Sequence, residues 1–403
     1  MSTGGLQKPS GIAFILIDGL GDVTIPSFGQ RTPLQAAHTP ILDAVAAAGL
    51  NGLLDPVEPG LACGSDTAHL SLFGYEPRTY YRGRGAFESM GAGLHMSEGD
   101  IAFKCNFATC DAATGIVVKR RADRQFEREG PVLCAHLDGL QLPSYPEHRD
   151  NLPLQRAKPA DESEEAEFTA ALVNELSDQL CTALQAHPLN EERRRLGKSP
   201  ANCLLLRGCG SRMKVPGFRE RQGMRACVVA PTRIIAGLGM CLGMQSVDAP
   251  GATGDYRTRL EAKAEAVAQA LVSGSFDFAF LHVKAVDDAG HDRLPWLKMK
   301  FIEAVDQMVL HLLVRLSQAE QAAEADQRRF TICLASDHST PVLRGDHSFE
   351  PVPLAIAHAS DVIDVLGGPD YVATLPLQPI ASPVATPGSA SEEAHTANLD
   401  SML

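Results

Sequence analysis

The chain contains ten cysteines but no C-x-x-C pair, so zinc-ribbon and thioredoxin-type redox chemistry are excluded at the outset. The closest pairs are Cys105/Cys110 and Cys203/Cys209. Cys203, Cys227 and Cys333 lie in apolar runs, where cysteine reads as a small buried hydrophobe. Basic residues are in deficit, with 36 Lys and Arg against 49 Asp and Glu and a net charge of −13. Nucleic-acid affinity comes mainly from Lys and Arg on phosphates, so no nucleic-acid partner is expected. A local arginine cluster for a small anion remains compatible with that charge. No apolar run reaches membrane-spanning length, and polar Met1–Ser10 has no apolar signal core. The expectation is therefore no membrane partner and a reduced, cytoplasmic setting. The final Ser-Met-Leu is similar to the peroxisomal Ser-Lys-Leu address but lacks its basic residue. There is no internal repeat and no G-x-S-x-G elbow. Gly197-Lys198-Ser199 lacks the first glycine of a P-loop, and Gly237-Leu238-Gly239 misses the dinucleotide spacing.

What is present is an ordinary globular composition, 44% hydrophobic and 21% charged over 403 residues, long enough for two or three domains. Three short apolar runs, Gly11–Ile17, Phe276–Val283 and Phe330–Ala335, each give way to polar residues. Continuous apolarity of that length suits strands buried on both faces of a parallel sheet. Helical spacing over Ala37–Gly49, Tyr256–Ser273 and Leu297–Glu320 alternates with them, which predicts an α/β fold. Between them, Arg82–Gly99 is glycine-rich, Cys105–Arg121 reads as strand–turn–strand around Thr114-Gly115, Glu162–Leu196 as a charged helical stretch, and Ala201–Arg207 as a strand. The expected organisation is a core of residues 1–79 and 223–375, an inserted α+β domain over 80–222, and a poorly ordered tail over 376–403.

Polar clusters follow the apolar runs, where open α/β sheets place their ligand sites. Asp18-Gly19-Leu20-Gly21-Asp22 reads either as a helix cap or as a tight turn around an ion. In HVKAVDDAGHD, at 282–292, Asp287 and His291 are four apart and share a face if the segment is helical. That oxygen–imidazole pair suits a divalent metal. Ser336-Asp337-His338 and Asp346-His347-Ser348 extend the pattern, although His338 alone would pass for a core histidine and His347 for a surface one. Gly64-Ser65-Asp66-Thr67-Ala68-His69 would otherwise be a loop and a helix start.

Taken together, IDGLGD (17–22), TPLQAAHTPILDAVAAAG (32–49), GSDTAHLSLFGY (64–75), YYRGRGAFESMGAG (80–93), FKCNFAT (103–109), LLLRG (204–208), HVKAVDDAGHD, SDHSTP (336–341) and HSFEPVP (347–353) resemble the alkaline-phosphatase superfamily. Within it they are similar to the archaeal-type cofactor-independent phosphoglycerate mutases. The resemblance implies an alkaline-phosphatase-like, mainly parallel sheet flanked by helices, with the insert as a substrate-binding lid. It implies Ser65 as a transiently phosphorylated nucleophile and two divalent ions (Mn²⁺, Mg²⁺, Co²⁺ or Zn²⁺). One ion would be held by Asp18, Ser65, Asp337 and His338, the other by Asp287, His291 and His347. His69 would support the site, with Lys284, Arg82, Arg84, Arg120, Arg121, Arg124 and Arg207 as substrate contacts. The implied reaction interconverts 3-phosphoglycerate and 2-phosphoglycerate, a small phosphorylated hydroxy acid, without 2,3-bisphosphoglycerate. A homoserine kinase-like phosphoryl transferase and a metal-dependent phosphatase are the alternatives. The stretch Ser360–Leu403 departs from the family pattern. Oligomeric state is not readable.

Overall fold

The computed structural model describes residues 10–97, 100–111, 117–119, 121–123, 126, 128–137, 162–212, 214–322, 328–375, 377, 380 and 382–384. Its strands are β1 (Ser10–Ile17), β2 (Leu50–Leu54), β3 (Ile101–Cys110), β4 (Val117–Lys119), β5 (Cys203–Ser211), β6 (Ala226–Val229), β7 (Gln245–Ser246), β8 (Phe278–Val283), β9 (Arg329–Ala335) and β10 (Val352–His358). The chain forms two compact units, Met1–Tyr81, Met90–Gly93 and Lys214–Leu403 in one, Arg82–Ser89 and Leu94–Met213 in the other.

The first unit holds a seven-stranded sheet in the order β2-β10-β9-β1-β8-β6-β7. Pairings through β9, β1, β8, β6 and β7 are parallel, and β10 runs antiparallel to both its neighbours. This is the mainly parallel, helix-flanked sheet expected from the apolar runs. All six residues of β8 are buried, as two covered faces require. The Leu260–Val272 and Pro295–Ala322 helices pack on the sheet through Val267, Leu271, Ile302, Val305, Val309, Leu312 and Leu316. Before β6, Phe218 packs on Phe278 with centroids 5.0 Å apart.

The Pro40–Ala48 helix starts at Thr39, whose own side chain makes no cap. Asp306, from the Pro295–Ala322 helix, supplies it instead: Oδ1 accepts from the amides of Ile41 and Leu42, each at 2.8 Å. Burial lifts the Asp306 carboxyl to about 6. A raised folded value favours the protonated form, so the contribution is greatest below the ordinary carboxylate range and falls as pH rises through about 6. Asp306→Ala is expected to cost about 1 kcal/mol, the usual worth of a cap. Asp306→Asn keeps the acceptor and should cost less. It should also flatten the decline in stability between pH 4 and 7, as read from urea midpoints.

The second unit has a three-stranded antiparallel sheet, β4-β3-β5. Leu133, Leu137, Leu176, Leu180, Leu184 and Leu204 form its core. The charged helical stretch is made of two helices, Glu164–Ala186 and Pro188–Arg195. Pro188 has no N–H and disfavours helical geometry in the residue before it. His187 accordingly turns extended (φ −71°, ψ 129°) and caps the second helix through Nδ1, which accepts from the Leu189 amide. Arg193 is fully buried there; it pairs with Glu129, its guanidinium lies 4.9 Å from the centre of the Phe126 ring, and Nε donates to Ser199 O. Ile380 and Val384 pack on the first unit's core, and Ser382 Oγ donates to Tyr256 O. The rest of the expected tail, apart from residue 377 and residue 383, lies outside the described residues.

Candidate active site

Parallel strands β8, β1 and β9 are neighbours, with Val283 opposite Ile17 and Ala335 opposite Leu16. Their carboxyl ends therefore line up, and Asp18, Lys284 and Ser336–His338 follow directly on them. Gly19 turns the chain with φ +64°, and a Cβ there would stand 2.5 Å from Asp287 Oδ1, so only glycine fits. The turn is held to the loop after β9: Gly19 N donates to Asp337 Oδ1 (3.1 Å), Leu20 N to Ser336 Oγ (3.0 Å), and Thr340 N to Gly21 O (3.0 Å).

Ser65 is the first residue of the Ser65–Leu72 helix, after Gly64 as N-cap. Its Oγ lies 3.1 Å from His338 Nε2. His338 Nε2 is also 3.2 Å from Asp337 Oδ2 and 3.5 Å from Asp18 Oδ1. Both of these carboxylate oxygens are buried and make no hydrogen bond. Asp287 and His291 share the short Ala285–His291 helix. His291 Nε2 lies 3.4 Å from Asp287 Oδ2 and 3.2 Å from His347 Nε2, which is 3.8 Å from Asp287 Oδ1.

The tautomers follow from the outer contacts. His291 Nδ1 lies 3.1 Å from Gly345 O and His347 Nδ1 2.9 Å from Cys63 O. A carbonyl only accepts, so each Nδ1 carries the proton and each Nε2 turns inward. Thr340 Oγ1 donates to Asp287 Oδ1 at 2.6 Å and so accepts from His338 Nδ1 at 3.1 Å, which places a proton on Nδ1 of the third ring as well. Anchoring of the outer nitrogen by a hydrogen bond is how metal-ligating histidines are oriented. Among the described residues two sets place their donor atoms within 4.8 Å of one another, Asp287/His291/His347 and Asp18/Asp287/His338. Buried carboxylate oxygens without donors, beside inward-facing imidazole nitrogens, fit a divalent cation.

The electrostatics point the same way. Burial pulls His338 down, yet Asp337, Asp18 and Asp287 outweigh it and hold the ring near 9. Burial opposes ionisation of Asp287, but Lys284, His338 and His291 bring it to about 2. Asp337 is held well below the carboxylate range against its burial, chiefly by His338. Three buried carboxylates thus draw positive charge from every side.

Of the other expected site residues, His69 is wholly buried, its Nδ1 lying 2.6 Å from Ser65 O and 3.6 Å from Asp337 Oδ2. Burial lowers it to about 4, which makes it a neutral ring beneath the serine. Lys284 Nζ pairs with Asp287 and sits 3.4 Å from Asp18 Oδ2. In the second unit, Arg84 and Lys104 both donate to Glu88 Oε1, at 2.7 and 2.8 Å. Arg207 stands opposite Lys104 in the β5–β3 register. Arg82 and Arg121 are exposed, and Arg120 and Arg124 lie outside the described residues. His282, the first residue of the HVKAVDDAGHD run and assigned no role from the sequence, is fully buried and its Nε2 lies 3.0 Å from Asp18 Oδ2.

The profile described as 2,3-bisphosphoglycerate-independent phosphoglycerate mutase matches residues 46–145. A protein of that name from Methanopyrus kandleri is 38% identical over 88% of this chain and 89% of its own. The chain belongs to this family. Another mutase of the same name, from Pyrococcus abyssi, is 39% identical over 85% of this chain and 87% of its own. A solved structure of a Pyrococcus horikoshii protein superposes with a TM-score of 0.73 at 34% identity, covering 87% of this chain and 88% of the other. A cofactor-independent phosphoglycerate mutase from Thermoplasma acidophilum gives 0.54 at 28% identity, over 86% and 89%. Among the described residues no helix is long and apolar enough to cross a membrane.

Proposed function

We propose that the chain interconverts 3-phosphoglycerate and 2-phosphoglycerate by way of a phosphoserine at Ser65, without 2,3-bisphosphoglycerate. The observation that supports it best is Ser65 Oγ, 3.1 Å from His338 Nε2, at the edge of a buried cluster of three aspartates. The forward half-reaction breaks the phosphorus–oxygen bond at the substrate's 3-position and forms one to Ser65 Oγ. The serine loses its proton and the glycerate hydroxyl gains one. After the glycerate turns, its 2-hydroxyl takes the phosphoryl group back and Ser65 recovers its proton.

The residues that would hold the divalent ions are Asp18, Ser65, Asp337 and His338 on one side and Asp287, His291 and His347 on the other. Bound there, Mn²⁺ or Mg²⁺ would lower the cost of an anionic Ser65 oxygen and of charge on the transferring group. Co²⁺ and Zn²⁺ accept the same donors. His69, neutral and bonded to Ser65 O, fixes the first turn of the helix. The helix N-terminus favours the phosphoserine dianion. Arg82, Arg84, Arg121 and Arg207, with Arg120 and Arg124, are the substrate's anion contacts on this reading, and the second unit is its lid. The resemblance at YYRGRG and LLLRG, which contain Arg82, Arg84 and Arg207, is what supports this reading.

The deciding assay supplies 3-phosphoglycerate and Mn²⁺ with no 2,3-bisphosphoglycerate and measures 2-phosphoglycerate and free phosphate together. Turnover abolished by chelator and restored by Mn²⁺, without phosphate release, is expected. Phosphate release in step with substrate loss would make the protein a phosphatase, and dependence on ATP a kinase.

A further inference from the structure

Lys298 stands in the second turn of the Pro295–Ala322 helix, and its side chain is fully buried. Its Nζ donates to Gly21 O (3.1 Å), Asp22 Oδ2 (2.8 Å) and Thr340 O (2.8 Å). An ammonium has three N–H donors, and all three are taken. The acceptors come from two segments: Gly21 and Asp22 close the turn that begins at Asp18, and Thr340 ends the loop that carries Asp337 and His338. One carboxylate and two peptide carbonyls make an oxygen cage of the kind that holds a small monovalent cation.

The same acceptors hold the two segments to each other. Gly21 O also accepts from Thr340 N, and Asp22 Oδ2 also accepts from Val342 N at 3.2 Å. Thr340 in turn fixes Asp287 and His338 through its hydroxyl. Lys298 thus lies beneath a junction, next to the Gly19–Asp337 and Leu20–Ser336 bonds, that helps hold Asp18, Asp287, Asp337 and His338 in register. Its three hydrogen bonds go to none of these four. Asp22 acquires a role here as well: it is the counter-charge of Lys298, whereas Asp18 in the same turn faces the cluster.

We infer that Lys298 is a positioning residue, a built-in cation that clamps the Asp18–Asp22 turn to the Ser336–Thr340 loop and so sets the spacing of the acidic cluster. The inference rests on the metal-site reading for its consequence but not for its geometry. A residue that merely neutralised Asp22 would be dispensable once that charge was gone. A clamp would not be.

The test therefore removes both charges. Lys298→Met alone leaves a buried carboxylate unpaired and is expected to destabilise the protein severely. Asp22→Asn with Lys298→Met leaves no unpaired charge and should restore most of the melting temperature. If Lys298 is a clamp, the folded double variant still loses register. The amides of Gly19, Leu20 and Thr340 exchange with deuterium at least tenfold faster than in the parent, and the Mn²⁺ dissociation constant rises at least tenfold. Asp22→Asn alone, which keeps the ammonium on both carbonyls, should leave these amides protected.

Parent-like exchange and Mn²⁺ affinity in the double variant would reduce Lys298 to a neutraliser and overturn the inference. Should the double variant not fold, Lys298→Gln, with two N–H donors, replaces it. Faster exchange confined to the three amides supports the clamp, and unchanged exchange overturns it. The exchange measurement needs no metal. Failure of the metal-site reading would instead appear as absence of Mn²⁺ binding in the parent protein.

Discussion

Ser65→Ala is expected to leave a folded protein whose mutase turnover falls by about 10³-fold or more, on the order of 4 kcal/mol on the barrier. The substitution removes the only atom on which a phosphoserine could form. It disturbs little else. Ser65 opens its helix with Gly64 as the cap, and the contact of its Oγ is His338 Nε2. Loss of one partly buried hydroxyl contact costs about 1 kcal/mol, so circular dichroism and melting should stay near those of the parent. Mass spectrometry during turnover should find a phosphoryl group on the parent's Ser65 peptide and none on the variant. Parent-like turnover in Ser65→Ala would sink the nucleophile assignment whatever the metal content.

The second large effect separates two adjacent aspartates. Asp287 has an oxygen in both groups of converging donor atoms and is fully buried, while Asp288 is in neither group and is half-buried. Burial raises the Asp288 carboxyl to about 7, even against Lys284, so it is partly protonated at neutral pH. Asp287→Asn should strip bound divalent ion from dialysed protein and reduce turnover by about 10²-fold or more, the scale of losing a ligand rather than a supporting contact. Asp288→Asn should keep both its metal and most of its turnover. Elemental analysis of the two purified variants decides the matter. Equal metal content in both would show that the donor sets are misassigned.

How much of this was legible in the sequence depended on whether the cause was local. Strands β1, β8 and β9 announce themselves because burial on both faces makes them continuously apolar. Asp18 and Asp337 stand out because each ends such a run. Asp287 could be told from Asp288 by its spacing of four from His291, which a helix turns into adjacency. The role of His282 could not be found that way: it opens the same polar run, but its partner Asp18 is 264 residues distant. Lys298 was hidden for the opposite reason. A lysine in a long amphipathic helix reads as a solvated face, and only the approach of two loops makes its position interior. Arg193 is a similar case, buried while the neighbouring Arg194 and Arg195 are exposed. The break at Pro188 is local, since proline ends helical geometry in the residue before it.

The central place of β1 has a consequence for biosynthesis. Its two partners in the sheet, β8 and β9, lie far along the chain, and the bond from Gly19 to Asp337 closes a separation of 318 residues. At about 5–20 residues per second on the ribosome, that closure waits roughly 15–60 s. Until β8 is made both edges of β1 are open, and until β9 follows one still is, so this apolar segment needs shelter by a chaperone or by provisional collapse. The acidic cluster at its end comes into being only with the late arrival of β9, so a nascent chain has no complete cluster until Asp337 and His338 have been made.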